Sequence, residues 1–182
     1  MKFGGTSVAD VNQIKNIAFK VKSEVRIDNK VIVVVSAMAG VTNNLIDLVQ
    51  STSNIPPYSE YDVVVSTGEQ VTSALLAVAL KNLNIKARSW LGWQLPIITD
   101  KSHGKALIEE IKTDQIFEFF KKNQVAIISG FQGLSEENRI TTLGRGGSDT
   151  SAVALAAAFS AERCDIYTDV DGIYTTDPRI VK

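Results

Sequence analysis

The stretch VIVVVSAM, residues 31–38, decides how this fold is built. Its first five residues are all β-branched, with no polar residue between them. An unbroken run of this kind is typical of a strand that is buried on both faces, as strands of parallel sheets are. Because parallel strands need long crossover connections, we expect helices before and after this strand.

The segments on either side alternate between helical and extended patterns. Apolar side chains recur every three or four residues in residues 8–25, which predicts a helix. Further helices are predicted at 69–82, 113–123 and 149–161, a second buried strand at 125–130, and short strands in ARSWLGW (87–93) and PIIT (96–99). This alternation predicts an α/β protein, a three-layer αβα sandwich with a mainly parallel sheet. In such folds, ligands bind beyond the carboxyl ends of the strands.

The composition excludes several classes of protein. A net charge of −1 argues against nucleic acid and anionic membranes as partners, and no apolar run reaches membrane-spanning length. The chain has no P-loop and no dinucleotide-binding glycine fingerprint. Cys164 is the one cysteine, so no internal disulfide forms, and we expect it in the core of a cytoplasmic protein. With one histidine, His103, expected in a loop or cap, the chain cannot build a usual structural zinc site.

Five corners, short segments rich in glycine, hydroxyl or charged residues, fall at predicted strand ends or helix starts. The first corner is KFGGTS, residues 2–7, which leads into the first predicted helix. Gly4 and Gly5 allow a phosphate to approach the backbone at a helix start, and Lys2 adds a positive charge. A glycine turn beside a solvated lysine explains the same residues equally well.

Two further corners, SAMAGVT at 36–42 and STGE at 66–69, carry hydroxyl and acidic groups. Ser36 and Thr42 offer hydroxyls to a ligand, and Glu69 offers a negative charge to an ammonium group. Ordinary helix capping and a first-turn acid account for each corner when it is taken alone.

The corner LGRGGSDTSAVALAAAF, residues 143–159, is harder to explain by structure alone. Arg145 suits a carboxylate or phosphate because its guanidinium donates two parallel hydrogen bonds. Helix capping needs only one of Ser148 and Asp149, and it explains neither Arg145 nor Gly146 and Gly147. We therefore favour a ligand site here.

The last corner is YTDVDGIYTTDPR, residues 167–179, in which Asp-Gly suggests a tight hairpin turn. Thr168, Asp169, Tyr174 and Arg179 are candidates to line a nucleotide site, and an ordinary edge hairpin is the alternative.

These five corners, in this order, resemble aspartokinases of the amino acid kinase family. The resemblance implies phosphoryl transfer from ATP to the β-carboxylate of L-aspartate, giving 4-phospho-L-aspartate, the first step towards lysine, threonine and methionine. It also implies Mg²⁺ bound mainly through phosphates, a cytoplasmic enzyme, and a homodimer in the full-length parent.

The resemblance implies a role for each matching position. Lys2 and Asp149 take the catalytic positions, with Asp149 orienting the lysines. The residues implied for the aspartate side are Ser36, Thr42, Glu69, Arg145, Gly146, Gly147 and Ser148. The residues implied for the nucleotide side are Lys2, Gly4, Gly5, Tyr167, Thr168, Asp169, Tyr174, Asp177, Pro178 and Arg179. No protein ligand to a metal is implied.

The sequence departs from the family pattern at both ends. Only Met1 precedes Lys2, so we expect the strand that normally carries this lysine to be missing, and the family continues beyond the DPR hairpin into more kinase domain and regulatory ACT domains. Residues 1–182 are therefore predicted to be an incomplete catalytic domain, truncated at both ends. The alternatives are another amino acid kinase, acting on glutamate, acetylglutamate or UMP, and a fragment that binds nucleotide or a partner without turnover.

Overall fold

The computed structural model describes residues 1–25, 29–94 and 97–168. Its strands are β1 (Lys2–Phe3), β2 (Val31–Val35), β3 (Ala87–Trp90), β4 (Ile97–Thr99), β5 (Ile108–Ile111), β6 (Val125–Ser129), β7 (Gln132–Ser135), β8 (Ile140–Thr142) and β9 (Ile166–Tyr167). Its helices are α1 (Val11–Val25), α2 (Val41–Thr52), α3 (Tyr58–Val65), α4 (Thr67–Asn82), α5 (Asp114–Phe120) and α6 (Gly147–Ala158).

The predicted strand β2 lies at the centre of a five-stranded sheet with the order β3-β6-β2-β1-β9. Every pairing in this sheet is parallel. Val33 of β2 packs on one face in a cluster with α1 and α4, whereas Val34 packs on the other face with α5 and α6. The predicted αβα sandwich with a parallel sheet is therefore confirmed.

The strand that we expected to be missing before Lys2 is partly present. Lys2 and Phe3 form β1, which pairs with β2 on one side and with β9 on the other. The ammonium group of Met1 also donates a hydrogen bond to the carbonyl of Ile32 at 2.8 Å. Two residues suffice as a strand because both of their edges are paired. Lys2 is thus held within the sheet, contrary to the expectation.

A second sheet, of order β5-β4-β7-β8, mixes parallel and antiparallel pairs. Its strands have three or four residues each and include polar stretches such as IEEI in β5 and QGLS in β7. Such short, polar segments lack the β-branched runs that mark a buried strand, which explains why only β4 was predicted.

The sequence also makes NIPPYSEY, residues 54–61, the best candidate for an exposed loop, but only its first four residues lie outside a helix. Pro57 lies at the N-cap position of α3, which begins at Tyr58.

By length and composition, the stretch Tyr58–Asn82 could cross a membrane, so the expectation that no apolar run reaches that length is wrong. Half of its most apolar part is nevertheless buried in the fold, and it carries the buried acids Asp62 and Glu69, as suits a core helix.

Cys164 is exposed, so its predicted place in the core is wrong. It lies in the connection between α6 and β9, where the neighbouring residues 161–163 are exposed as well. This connection runs outside both hydrophobic clusters, and connections between elements normally lie at the surface.

Candidate active site

An open cleft of about 470 Å³ lies where the carboxyl ends of β1 and β2 face the starts of α2 and α6. Parallel strands bring their carboxyl ends to one edge, so corners far apart in sequence meet here. The residues that we predicted from sequence and that line this cleft are Lys2, Gly5, Ser36, Thr42, Glu69, Arg145, Gly146, Gly147, Ser148 and Asp149.

Two helices begin at the cleft, and each follows a glycine with left-handed backbone. Gly40 precedes α2 with φ of 79°, and Gly146 precedes α6 with φ of 77°. Such φ values are strained for most other residues, so glycine is favoured at both corners. The starts of both helices border this one cleft, where their partial positive charge favours an anionic ligand.

Lys2 and Asp149 form an ion pair within the cleft. Lys2 Nζ lies 2.7 Å from Asp149 Oδ1, and the lysine side chain is nearly buried whereas that of Asp149 is half exposed. Asp149 lies in the first turn of α6, where a carboxylate is favoured by the helix dipole. A Cβ atom on Gly4 would lie 3.4 Å from Lys2 Nζ, so Gly4 borders this pair although it does not line the cleft.

Glu69 places a buried carboxyl group at the cleft. Its side chain is 3% exposed, and Oε1 accepts a hydrogen bond from the Ala37 N–H at 3.0 Å. Its other oxygen, Oε2, has no hydrogen-bond partner in the described part of the chain. Burial raises the pKa of Glu69 to about 7, although backbone hydrogen bonds, led by that of Ala37, oppose the change. A cationic group in the cleft would satisfy this carboxylate.

Close packing at a glycine brings Glu69 to this position. A Cβ atom on Gly68 would lie 2.7 Å from the Cβ atom of Ala37, which is too close for two carbon atoms. The absence of a side chain at Gly68 therefore lets α4 approach the end of β2 closely enough for the contact between Glu69 and Ala37.

Arg145 lies in the loop between β8 and α6. Its side chain is exposed and makes no ion pair or hydrogen bond with residues 1–25, 29–94 or 97–168. Gly144 and Gly146, on either side of it, have φ values of 75° and 77°. Among the described residues, the cleft thus carries an acid with one unpaired oxygen, Glu69, and a base without a partner, Arg145, a combination that is complementary to a zwitterion.

Only some of the residues predicted to bind the nucleotide lie in the part of the chain that the structure describes. The ring of Tyr167 stacks on Phe3 with centroids 4.6 Å apart, and the Tyr167 carbonyl accepts from the Gly4 N–H at 3.3 Å. Tyr167 packs in the sheet and does not line the cleft, and Thr168 ends the described chain. The remaining predicted positions lie outside the described residues: Asp169, Tyr174, Asp177, Pro178 and Arg179.

Several residues that line the cleft were not predicted from the sequence. They are Ala37, Met38, Ala39, Gly40, Asn43, Ile46, Tyr61, Gly104, Phe131 and Thr142, whereas Gly144, which also lines the cleft, belongs to the predicted corner at 143–159. Those next to the quoted corners, such as Asn43, were within reach of sequence reasoning. Tyr61, Gly104 and Thr142 reach the cleft through long-range packing that no local pattern signals.

The whole chain, residues 1–182, matches the family model described as the amino acid kinase family. It is 59% identical to an aspartokinase of Rickettsia felis, an alignment that covers 99% of this chain and 46% of the relative. The chain spans about half the length of the curated relatives that it matches.

Two solved structures of aspartate kinases are also similar to this chain. An aspartate kinase from Synechocystis superposes with a TM-score of 0.81 at 46% identity, covering 99% of this chain and 30% of that one. E. coli aspartokinase III in complex with aspartate and ADP superposes with a TM-score of 0.84 at 29% identity, covering 99% and 51%.

Proposed function

Because this chain belongs to the amino acid kinase family, we propose that it forms part of the catalytic domain of an aspartate kinase. The reaction would transfer the γ-phosphoryl group of ATP to the β-carboxylate of L-aspartate, giving 4-phospho-L-aspartate. The observation that carries the proposal is the single cleft that combines Glu69, Arg145 and the pair of Lys2 with Asp149. Its relatives named aspartokinase, and the relative solved with aspartate and ADP, support the same choice of substrates.

The amino acid would be held at both of its charged ends. The substrate ammonium would approach Oε2 of Glu69, since that oxygen is buried and has no partner among the residues that the structure describes. A cation there favours the ionised carboxylate and lowers its raised pKa. Arg145 would grip a carboxylate with paired hydrogen bonds, while Ser36, Thr42 and Ser148 surround the ligand.

The chemistry needs positioning and electrostatic stabilisation more than a strong base. A carboxylate is already nucleophilic, and the moving phosphoryl group carries dispersed negative charge. We assign Lys2 to that charge and Asp149 to the orientation of Lys2, on the strength of their 2.7 Å contact. The starts of α2 and α6 would add partial positive charge in the same space, and Gly146 and Gly147 would form the loop around the ligand.

The nucleotide would enter beside β1, along Gly4 and Gly5. We further assign to nucleotide binding the residues Tyr167, Thr168, Asp169, Tyr174, Asp177, Pro178 and Arg179. Mg²⁺ would arrive with ATP, held by phosphate oxygens and water, and we assign it no protein ligand. A place at the first step of lysine, threonine and methionine synthesis, a homodimeric parent, a cytoplasmic location and the absence of nucleic acid and membrane partners remain predictions.

Acceptor specificity tests the proposal. ADP release from MgATP would be measured with aspartate, glutamate, N-acetylglutamate and UMP, using the full-length gene product that contains these residues. We expect kcat/KM for aspartate to exceed that for glutamate by about tenfold or more, because one methylene group changes binding by roughly 1–3 kcal/mol. A preference for another acceptor would contradict the proposal. Nucleotide binding without acceptor-dependent ADP release would support a non-catalytic binding module instead.

A further inference from the structure

A buried carboxylate lies behind the wall of the cleft. Asp62, on α3, has no solvent exposure, yet its two oxygens are within hydrogen-bond distance of three groups. The Thr142 hydroxyl donates to Oδ1 at 2.6 Å, and the Gly104 N–H lies 3.1 Å from both oxygens. The His103 ring nitrogen Nδ1 lies 2.6 Å from Oδ2. His103 lies in a turn, as predicted from the sequence.

The Gly104 N–H and the Thr142 hydroxyl donate hydrogen bonds to Asp62, whereas the direction of the bond with His103 depends on the tautomer of the imidazole. A buried carboxylate is costly unless it is fully satisfied, and the chain provides donors from the turn at 101–105 and from β8. Asp62 therefore joins three segments that are distant in sequence.

Two of the groups that Asp62 holds are part of the cleft itself. Gly104 and Thr142 both line it, whereas Asp62 does not. The Thr142 carbonyl also accepts from the Ala106 N–H at 2.8 Å, which fixes β8 to the same turn. A Cβ atom on Gly144 would lie 3.3 Å from the Gly104 carbonyl oxygen, so the turn also packs against the loop that follows β8.

These contacts affect the position of Arg145. Thr142 ends β8 only three residues before Arg145, and the loop between them contains Gly144 in a left-handed conformation. Since the Arg145 side chain has no partner in the described part of the chain, its position depends on the backbone of this loop. Anchoring the loop at Thr142 and at the Gly104 turn limits where the guanidinium can reach.

We propose that Asp62 is a positioning residue, which holds the Arg145 loop through Thr142 and Gly104 and is itself oriented by His103. The proposal rests on the proposed function, in which Arg145 grips the carboxylate of aspartate. Asp62 never touches the substrate, and its effect is on the geometry of the amino acid side of the cleft rather than on the nucleotide side.

A pair of variants at Thr142 tests this anchor in the full-length gene product. Thr142→Val removes the hydroxyl and keeps the shape, whereas Thr142→Ser keeps the hydroxyl. We expect Thr142→Val to raise the KM for aspartate about tenfold, the scale of one lost hydrogen bond to a charged group, with the KM for ATP changed less than about twofold. Thr142→Ser should restore the KM for aspartate to within about threefold of the parent value.

The matched control is Thr99→Val. Thr99 is fully buried in the same sheet, and its hydroxyl contacts the Thr141 hydroxyl at 2.6 Å, but it does not line the cleft. This variant should lower the thermal midpoint about as much as Thr142→Val while leaving the KM for aspartate unchanged. If both variants lower the midpoint and neither changes that KM, Asp62 and its partners only stabilise the fold, and the proposal is overturned.

The double variant separates an indirect role from direct contact between Thr142 and the substrate. Asp62→Ala and Thr142→Val should have less than additive effects on the KM for aspartate, because each removes the hydrogen bond between these two residues. Additive effects would contradict the proposal. If Asp62→Ala fails to fold, His103→Ala, which removes the contact that orients Asp62, replaces it in the cycle with the same expectation. Failure of the unsubstituted protein to use aspartate would instead overturn the proposed function, and this assignment with it.

Discussion

Glu69 provides the most quantitative prediction, because its burial opposes its charge. Its pKa rises from an ordinary value of 4.5 to about 7, and it is 3% exposed. This difference corresponds to about 3 kcal/mol between its neutral and ionised forms in the folded protein. The resulting loss of folding stability is absent below about pH 4.5, where Glu69 is neutral in the folded and in the unfolded protein. The loss grows as pH rises from about 4.5 to about 7, because the unfolded chain loses its proton first. Above about pH 7 the loss is fully present.

The perturbation that tests this is Glu69→Gln. The amide keeps an oxygen for the Ala37 N–H but cannot ionise, so the variant escapes the cost of a buried charge. We expect the variant to be more stable than the parent by about 2–3 kcal/mol at about pH 8, and the two to be nearly equal at about pH 4.5. The lower end of that range allows for the new amide N–H₂ group, which meets no partner within the described part of the chain at the position of Oε2.

Urea unfolding of both proteins across this pH range measures the difference in free energy of unfolding directly. A difference that is the same at about pH 5 and pH 8 would refute the reasoning, because only a group with a raised pKa makes it depend on pH. Calorimetric titration of aspartate in buffers of different ionisation enthalpy provides the second measurement. Below about pH 7, binding should release a proton from Glu69, and Glu69→Gln should abolish this release.

The remaining predictions concern the other charged groups and one glycine. Arg145→Ala should weaken aspartate binding by roughly 1.5–3 kcal/mol, measured by titration, and unchanged affinity would contradict its assignment. Lys2→Ala should lower kcat far more than aspartate affinity, and an unchanged kcat in steady-state assays would contradict a role in phosphoryl transfer. Gly68→Ala should destabilise the fold by about 1–3 kcal/mol in urea unfolding, since its Cβ would lie 2.7 Å from that of Ala37, whereas a cost near zero would show that α4 can shift.

Much of the fold was predictable because the central strands have sequences that are typical of strands buried on both faces. The β-branched run of β2 and the apolar run of β6 are buried on both faces, and the helices that cover them have a clear period. The second sheet was not predictable, since its short strands are defined by partners rather than by propensity. Strand β1 was missed for the same reason, because two residues form a strand only through the pairing on either side.

The candidate site shows the same division. Glycines with positive φ and charges at helix starts, such as Gly146 and Asp149, leave a local signature that the sequence reveals. Asp62 leaves none, because no local pattern distinguishes it from the exposed acid Glu60 of the same helix, and its partners lie 41, 42 and 80 positions away along the chain. Cys164 illustrates the opposite error, since a residue type that is usually buried lies in an exposed connection.

Trapping of the acyl phosphate tests the central claim most directly. Hydroxylamine would be added to the protein with ATP, Mg²⁺ and aspartate, both for this chain and for the full-length gene product that contains it. We predict that the full-length protein forms aspartyl hydroxamate only when ATP and aspartate are both present, and that Arg145→Ala slows its formation at low aspartate concentration. ATP turnover without hydroxamate, or hydroxamate formed equally well from glutamate, would contradict the assignment of this cleft to aspartate phosphorylation.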